Sequence, residues 1–326
     1  KSWTLEWSPK QEGDYLIYSL WQQGSYQTNN PAQETAYTIN YFDAAGMEGI
    51  KDYLESYLFA DEELVALMKN CDIQFFMDSL EFSSSQGDSL MWAHDMAEEF
   101  EKRKGYDIRP YLPLFIGTSN RWNLDYDDAM GSYQFADSEL NRKIRNDLYD
   151  VYTQVYQEDT MVPLRQWANE KYGIKLRAQI SYGTWMEISE PAMSVDYPET
   201  ETLNQKDQVD IFRLWGGSTH ILDQILSSET GAIGGMNYAL TEQDLLRMSY
   251  IQFAAGVSRI IWHGHSSSWG PEASIEWPGF EGMMSFIAGR LDTREPNAKD
   301  YAEMNDHMGR VQKLLRTGTS RTDLGI

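Results

Sequence analysis

The chain has 326 residues, 41% of them hydrophobic and 13% aromatic, and its 27 Lys and Arg against 50 Asp and Glu leave a formal net charge of −23. That apolar content offsets the entropy of ordering and excludes a disordered polymer, while so large a negative charge repels phosphate backbones and anionic lipid and makes nucleic acid and membrane surfaces poor partners. Cys71 is the only cysteine, which excludes an internal disulfide and any cysteine-rich zinc or iron–sulfur site, and no run approaches the roughly 20 apolar residues of a membrane span.

Apolar β-type runs alternate with amphipathic helical stretches, the pattern of a parallel sheet wrapped by helices. The chain opens at Lys1 with no charged-then-apolar leader, as expected of a mature or excised chain. Strands are expected at 15–20 (YLIYSL), 37–42 (YTINYF) and 73–78 (IQFFMD). The stretch 120–131, with Asp125, Asp127 and Asp128, reads as a solvated acidic loop, because the EF-hand spacing is missing. From Asp137 onward Leu140, Ile144, Leu148, Val151 and Val155 recur at helical spacing on one face, with Pro163 kinking that segment and Gly173 ending it. Strands follow at 174–180, 194–197 and 225–228. Thr241, with Asp244 three residues on, forms a capping box that opens a helix through Leu245, Met248 and Phe253 to Gly256. A strand at 259–263, a helix at about 297–315 and a strand at 323–326 complete the series. Eight strands, several apolar on both faces, predict an α/β fold: a single (β/α)8 barrel over residues 1–326.

Barrel enzymes carry their chemistry at the C-terminal ends of the strands. Here those ends are acidic: Asp78 and Glu81 after the third strand, Glu199 and Glu201 after the fifth, Glu229 after the sixth. The seventh leads into Trp262-His263-Gly264-His265 and a loop with Trp269, Glu272, Glu276 and Trp277. Glycoside hydrolysis needs this inventory: a carboxylic acid to protonate the leaving oxygen, a carboxylate as base or nucleophile, and aromatic faces for the sugar. A zinc enzyme built on His263 and His265 is the weaker reading, since no HExxH and no third histidine follows. A non-catalytic carbohydrate-binding barrel, keeping Trp185, Trp262 and Trp269 without opposed carboxylates, is the alternative. His94, His220 and His307 fall in helical or loop context and read as structural or solvated.

In order along the chain, Phe76-Met77-Asp78-Ser79-Leu80-Glu81, the run from Phe100 through Gly105-Tyr106-Asp107 to Pro110-Tyr111-Leu112-Pro113, Arg177-Ala178-Gln179, Pro198-Glu199-Thr200-Glu201 and Ser227-Ser228-Glu229 resemble glycoside hydrolase family 106, the α-L-rhamnosidases and their relatives. The resemblance spans about 37–326. It implies an inverting, exo-acting rhamnosidase of carbohydrate breakdown, with an oligosaccharide or glycoside as substrate and a calcium-assisted site. By motif Glu81 falls at the general acid, where partial desolvation would raise its pKa, and Glu229 falls at the general base. Glu199 and Glu201 fall in the acidic cluster near sugar or metal and carry the suspected calcium. Asp78, Gln179, Tyr182, Trp262, His263 and His265 are expected to bind substrate. In an eight-stranded ring, Glu81 and Glu229 would face each other about 6.5–9.5 Å apart, leaving room for the attacking water. Family members carry additional β-rich modules, so this chain is expected to be a barrel portion of a longer, periplasmic or secreted protein.

Overall fold

The computed structural model describes residues 4–28, 37–82, 90–117, 131–203, 205–236, 238–264, 291 and 295–321. Its centre is a sheet of five parallel strands in chain order: β1 (Gln74–Met77), β2 (Lys175–Ala178), β3 (Tyr197–Glu201), β4 (Ser227–Thr230) and β5 (Arg259–Trp262). Two capped helices precede β1. The Asp43 side chain accepts from Ala45 N–H at the start of α1 (Ala44–Tyr57), and Asp61 accepts from Glu63 and Leu64 N–H at the start of α2 (Glu62–Met68). Both satisfy amides that have no partner inside the helix.

The excursion between β1 and β2 holds the largest core. α3 (Met96–Lys104) stops at Gly105, whose φ of 77° is the left-handed geometry glycine adopts without strain. A 3₁₀ turn, Arg109–Phe115, then leads toward α4 (Ser138–Val155). The face read from the spacing is the buried one: Ile144, Leu148, Val151 and Val155 pack with Tyr152, Tyr156, Leu176 and Ala178. Beyond α4 the helical path continues through a π turn (Tyr156–Met161), α5 (Val162–Trp167) and a second π turn (Ala168–Tyr172), and ends at Gly173 with φ 71°. Pro163 sits in the first turn of α5, where its missing N–H is least costly.

After β3, β4 and β5 come α6 (Val209–Leu222), α7 (Glu242–Ala254) and α8 (Tyr301–Leu315). The capping box at α7 is present in both directions, Thr241 to Asp244 N–H and Asp244 back to Thr241 N–H. No helix among the described residues is long and apolar enough to cross a membrane.

The closed (β/α)8 barrel expected from the sequence is overturned: among the described residues the sheet has five strands and is a curled half-barrel. A flat sheet of five would set its edges about 19 Å apart. Here Arg259 Nη1 on edge strand β5 reaches Gln74 Oε1 on edge strand β1 at 3.4 Å, so the sheet is strongly curved. Among the described residues the run 15–20 pairs with no strand and leaves Tyr15, Leu16, Ile17 and Leu20 exposed, and 37–42 contributes the antiparallel bridge Tyr37–Thr28 before its apolar residues turn into the core under Asp43. Aromatic and β-branched content measures fit to a pleated surface, and such a surface needs a neighbouring strand. The run 323–326 lies outside the described residues, as do Asp125, Asp127 and Asp128. The strand expected at 194–197 begins at Tyr197, and that expected at 225–228 begins at Ser227.

Candidate active site

Side chains alternate across a strand, so one face of each strand lines the concave side of the curved sheet. The register aligns Met77 with Ala178, Glu199 with Ser227 and Glu201 with Glu229. Five neighbouring strand ends therefore each present one polar group to the same rim: Asp78, Gln179, Glu201, Glu229 and His263.

These groups are in contact. Gln179 Nε2 donates to Glu229 Oε2 at 2.6 Å and to Glu201 Oε2 at 3.4 Å, and the Tyr182 hydroxyl donates to Glu201 Oε1. His263 Nε2 lies 3.7 Å from Glu229 Oε1. Carboxylate oxygens of Asp78, Glu201 and Glu229 all lie within 4.8 Å of one another. Burial, followed by the charge of Asp78, pushes Glu201 up to about 7 against the pull of its bond from Tyr182. Burial, followed by the charges of Glu201, Asp78 and Glu199, pushes Glu229 up to about 8. Glu201 and Glu229, desolvated beside one another and within reach of the exposed Asp78, cannot both be charged cheaply, and a proton or a cation relieves them.

One layer toward the N-terminal ends of the strands, Glu199 is fully buried and ion-paired with Arg177, and Ser227 Oγ donates to it at 2.7 Å. Burial raises the Glu199 carboxyl and the Arg177 charge opposes that rise. The Arg177 guanidinium also lies 4.2 Å above the Phe76 ring. Glu199 and Glu201 do project from one face of β3, as two-residue spacing requires, but they stand in different layers with different partners.

Glu81 is exposed three residues past Asp78, with Ser79 Oγ donating to its Oε1 at 3.2 Å, and it lies outside the three-carboxylate group. The desolvation expected there is found at Glu201 and Glu229 instead. The loop is anchored beside it by Leu80 N–H to Tyr182 O at 3.1 Å. Trp262 is not brought to the rim: it shares the opposite face of β5 with Ile260, and its Nε1 donates to Asn305 Oδ1 on α8 at 2.8 Å. His265, Trp269, Glu272, Glu276 and Trp277 lie outside the described residues. Gly231, with φ 108°, stands where a Cβ would come 2.9 Å from the His263 carbonyl, so its smallness lets the ends of β4 and β5 approach. Sequence reading missed the Arg177–Glu199 pair and the place of Asp78 among the carboxylates. Both were signalled by parity, since Arg177 and Gln179, like Phe76 and Asp78, are two residues apart on one strand face.

The fit of calcium can be tested on the donors. Calcium takes oxygen ligands at about 2.3–2.6 Å, so two ligands of one ion are separated by at most about 5 Å. The Asp78, Glu201 and Glu229 oxygens, all within 4.8 Å of one another, meet that limit, and Gln179 Oε1 on the neighbouring strand end is buried without a hydrogen-bond partner. The donor set is all oxygen and suits a hard cation.

A family model described as alpha-L-rhamnosidase, glycoside hydrolase family 106, matches residues 2–325. Among solved structures, the fold is similar to that of the rhamnosidase from Novosphingobium sp. PP1Y, with a TM-score of 0.62 and 19% sequence identity. The similarity covers 90% of this chain and 26% of that one, so the chain spans about a quarter of that protein's length. Comparison with curated proteins finds no match.

Proposed function

The chain belongs to the alpha-L-rhamnosidase family, glycoside hydrolase family 106, and from that premise we propose that it hydrolyses α-L-rhamnosides with inversion at the anomeric carbon. The observation that carries the reading is the meeting of Asp78, Glu201 and Glu229 within 4.8 Å at the C-terminal rim, where barrel enzymes work. Glu229 is the general base: Gln179 holds its Oε2, and in the ionised form it accepts a proton from the water attacking the sugar. Glu81, accessible on the loop after β1, is the general acid that protonates the leaving oxygen. His263 and Gln179 line the sugar position beside Glu229, and Tyr182 orients Glu201.

Asp78 and Glu201, with Gln179 Oε1, are the residues that would hold calcium. When bound, the ion supplies positive charge that offsets the crowded carboxylates and favours ionised Glu229 over its protonated form near neutrality. Glu199 supports the site from below through Arg177.

The experiment is proton NMR of the first-formed sugar from an aryl α-L-rhamnoside, with calcium present. The expected product is the β-anomer. Retention of configuration would refute the inverting assignment, and rhamnoside binding without turnover would favour the non-catalytic carbohydrate-binding reading.

A further inference from the structure

Residues 4–28 run over the surface, and all of them are exposed except Tyr18 and Gln27. Both exceptions are points of attachment. The Tyr18 ring meets Tyr133 edge-on with centroids 5.2 Å apart, and Gln27 Nε2 donates to the Glu81 carbonyl at 2.6 Å, 54 residues away in the chain. Gln27 is itself held from behind. Thr38 N–H donates to its carbonyl at 2.9 Å, Thr28 bridges Tyr37, and the Tyr26 and Tyr37 rings stand 6.5 Å apart beside that pairing. Tyr26 takes φ 57°, in the left-handed region that a residue bearing a Cβ seldom occupies, and a backbone kept there is over-determined by its surroundings.

The run 37–42, which joins none of the five strands, is tied to the core where it leaves this pairing: Asn40 Nδ2 donates to Trp92 O at 3.0 Å and Thr160 Oγ1 to Tyr41 O at 2.6 Å. It also holds the residue after Glu81. The Phe82 ring packs on Tyr41 and Phe42, with centroids 5.8 and 5.9 Å away. Before Glu81, Leu80 is buried and its N–H donates to the Tyr182 carbonyl at 3.1 Å. Glu81 thus stands on a backbone pinned on both sides, and the Gln27 amide holds the carbonyl between the two pins. Its own side chain, steered by Ser79 Oγ at 3.2 Å, stays open to solvent. Proton transfer needs a heavy-atom separation of about 2.6–3.2 Å, and a misplacement of about 1 Å can cost about 10²-fold in rate. An exposed acid gets no aim from burial, so its main chain has to supply it.

We propose that Gln27 is a positioning residue for the general acid: by holding the Glu81 carbonyl, the segment that precedes the sheet aims the Glu81 carboxyl at the leaving oxygen. The inference rests on the hydrolytic reading above, with Glu81 as the acid. Gln27 acts through Glu81, so its loss affects the step in which the leaving oxygen takes a proton and spares the step at Glu229.

Gln27→Met tests it, because methionine keeps the length of the side chain and removes the donor. For an alkyl α-L-rhamnoside, whose leaving oxygen needs a proton, kcat should fall about tenfold with KM little changed. For 2,4-dinitrophenyl α-L-rhamnoside, whose leaving group needs none, both constants should stay within about twofold. In a Glu81→Gln background the same substitution should add no further loss on either substrate, since the two residues act as a unit. Hydrogen exchange in a peptide covering residues 79–82 needs no turnover, and it should quicken in Gln27→Met. Equal losses on the two substrates, an unchanged kcat on the alkyl rhamnoside, an additive loss in the Glu81→Gln background, or exchange indifferent to the substitution would each overturn the inference. Failure of wild type to hydrolyse either rhamnoside, with exchange still dependent on Gln27, would instead strike the hydrolytic reading and leave the tether on Glu81 standing.

Discussion

Glu229→Gln is expected to stabilise the calcium-free protein, and to do so only above the ordinary carboxylate range. The Glu229 carboxyl is pushed from 4.5 to about 8, first by burial and then by the charges of Glu201, Asp78 and Glu199. Between those two values the folded state holds a proton that the unfolded chain releases, so stability falls as pH rises through the window and is unaffected below it. The cost accumulates to about 3 kcal/mol at pH 7 and approaches about 5 kcal/mol beyond pH 8. Glutamine keeps the shape and an oxygen able to accept from Gln179 Nε2, so the offsetting loss is about 1 kcal/mol or less. For a chain of this size 1 kcal/mol moves Tm by roughly 2 °C. Thermal unfolding in EDTA should therefore show the variant no more stable than wild type at pH 4.5, and at most about 2 °C below it. A gap of about 5 °C should appear at pH 7 and widen at pH 8.5. Adding calcium should narrow the gap by stabilising wild type more than the variant. Equal melting temperatures at pH 8.5, or a gap that grows toward pH 4.5, would refute the electrostatic argument.

Arg177→Met leaves the fully buried Glu199 without its cation and should cost about 3–5 kcal/mol in urea unfolding, most of it recovered in the Arg177→Met, Glu199→Leu pair; a single variant as stable as wild type would contradict the pairing. Glu81→Gln should abolish hydrolysis of rhamnosides with poor leaving groups while sparing activated aryl rhamnosides, and equal loss on both would remove Glu81 from the acid role. Asp78→Asn should weaken calcium binding at least tenfold by titration calorimetry, and unchanged affinity would take Asp78 out of the ligand set.

Much of this protein was legible because local rules and tertiary structure agree. The helical spacing of Ile144, Leu148, Val151 and Val155 can bury only one face, and that face is the buried one. The Thr241–Asp244 cap is decided within four residues. Four of the five runs that became strands, β1, β3, β4 and β5, are each followed by a helix, and polar residues just past an apolar parallel strand gather at one rim. Asp78, Glu201, Glu229 and His263 were among the residues read from the strand ends, and Gln179 came from the family resemblance.

Pairing, layer and exposure were not legible, because they depend on partners remote in the chain. Residues 15–20 have the composition of a strand and no neighbour to complete the ladder, so eight apolar runs did not become a closed eight-stranded barrel among the described residues. Glu199 and Glu201 read alike two residues apart, yet Arg177 and Ser227 claim the first while Asp78, Tyr182 and Glu229 surround the second. Glu81 has the motif position of an acid and the exposure of a loop residue, whereas Glu201 and Glu229, whose carboxyls burial pushes up, are removed from water beside one another by the curvature of the sheet. The sequence by itself determined which residues of one strand share a face, since alternation is a property of neighbouring residues. Which of them share a charge problem was decided only by the tertiary structure, since desolvation and repulsion depend on distances that the register and curl of five strands create.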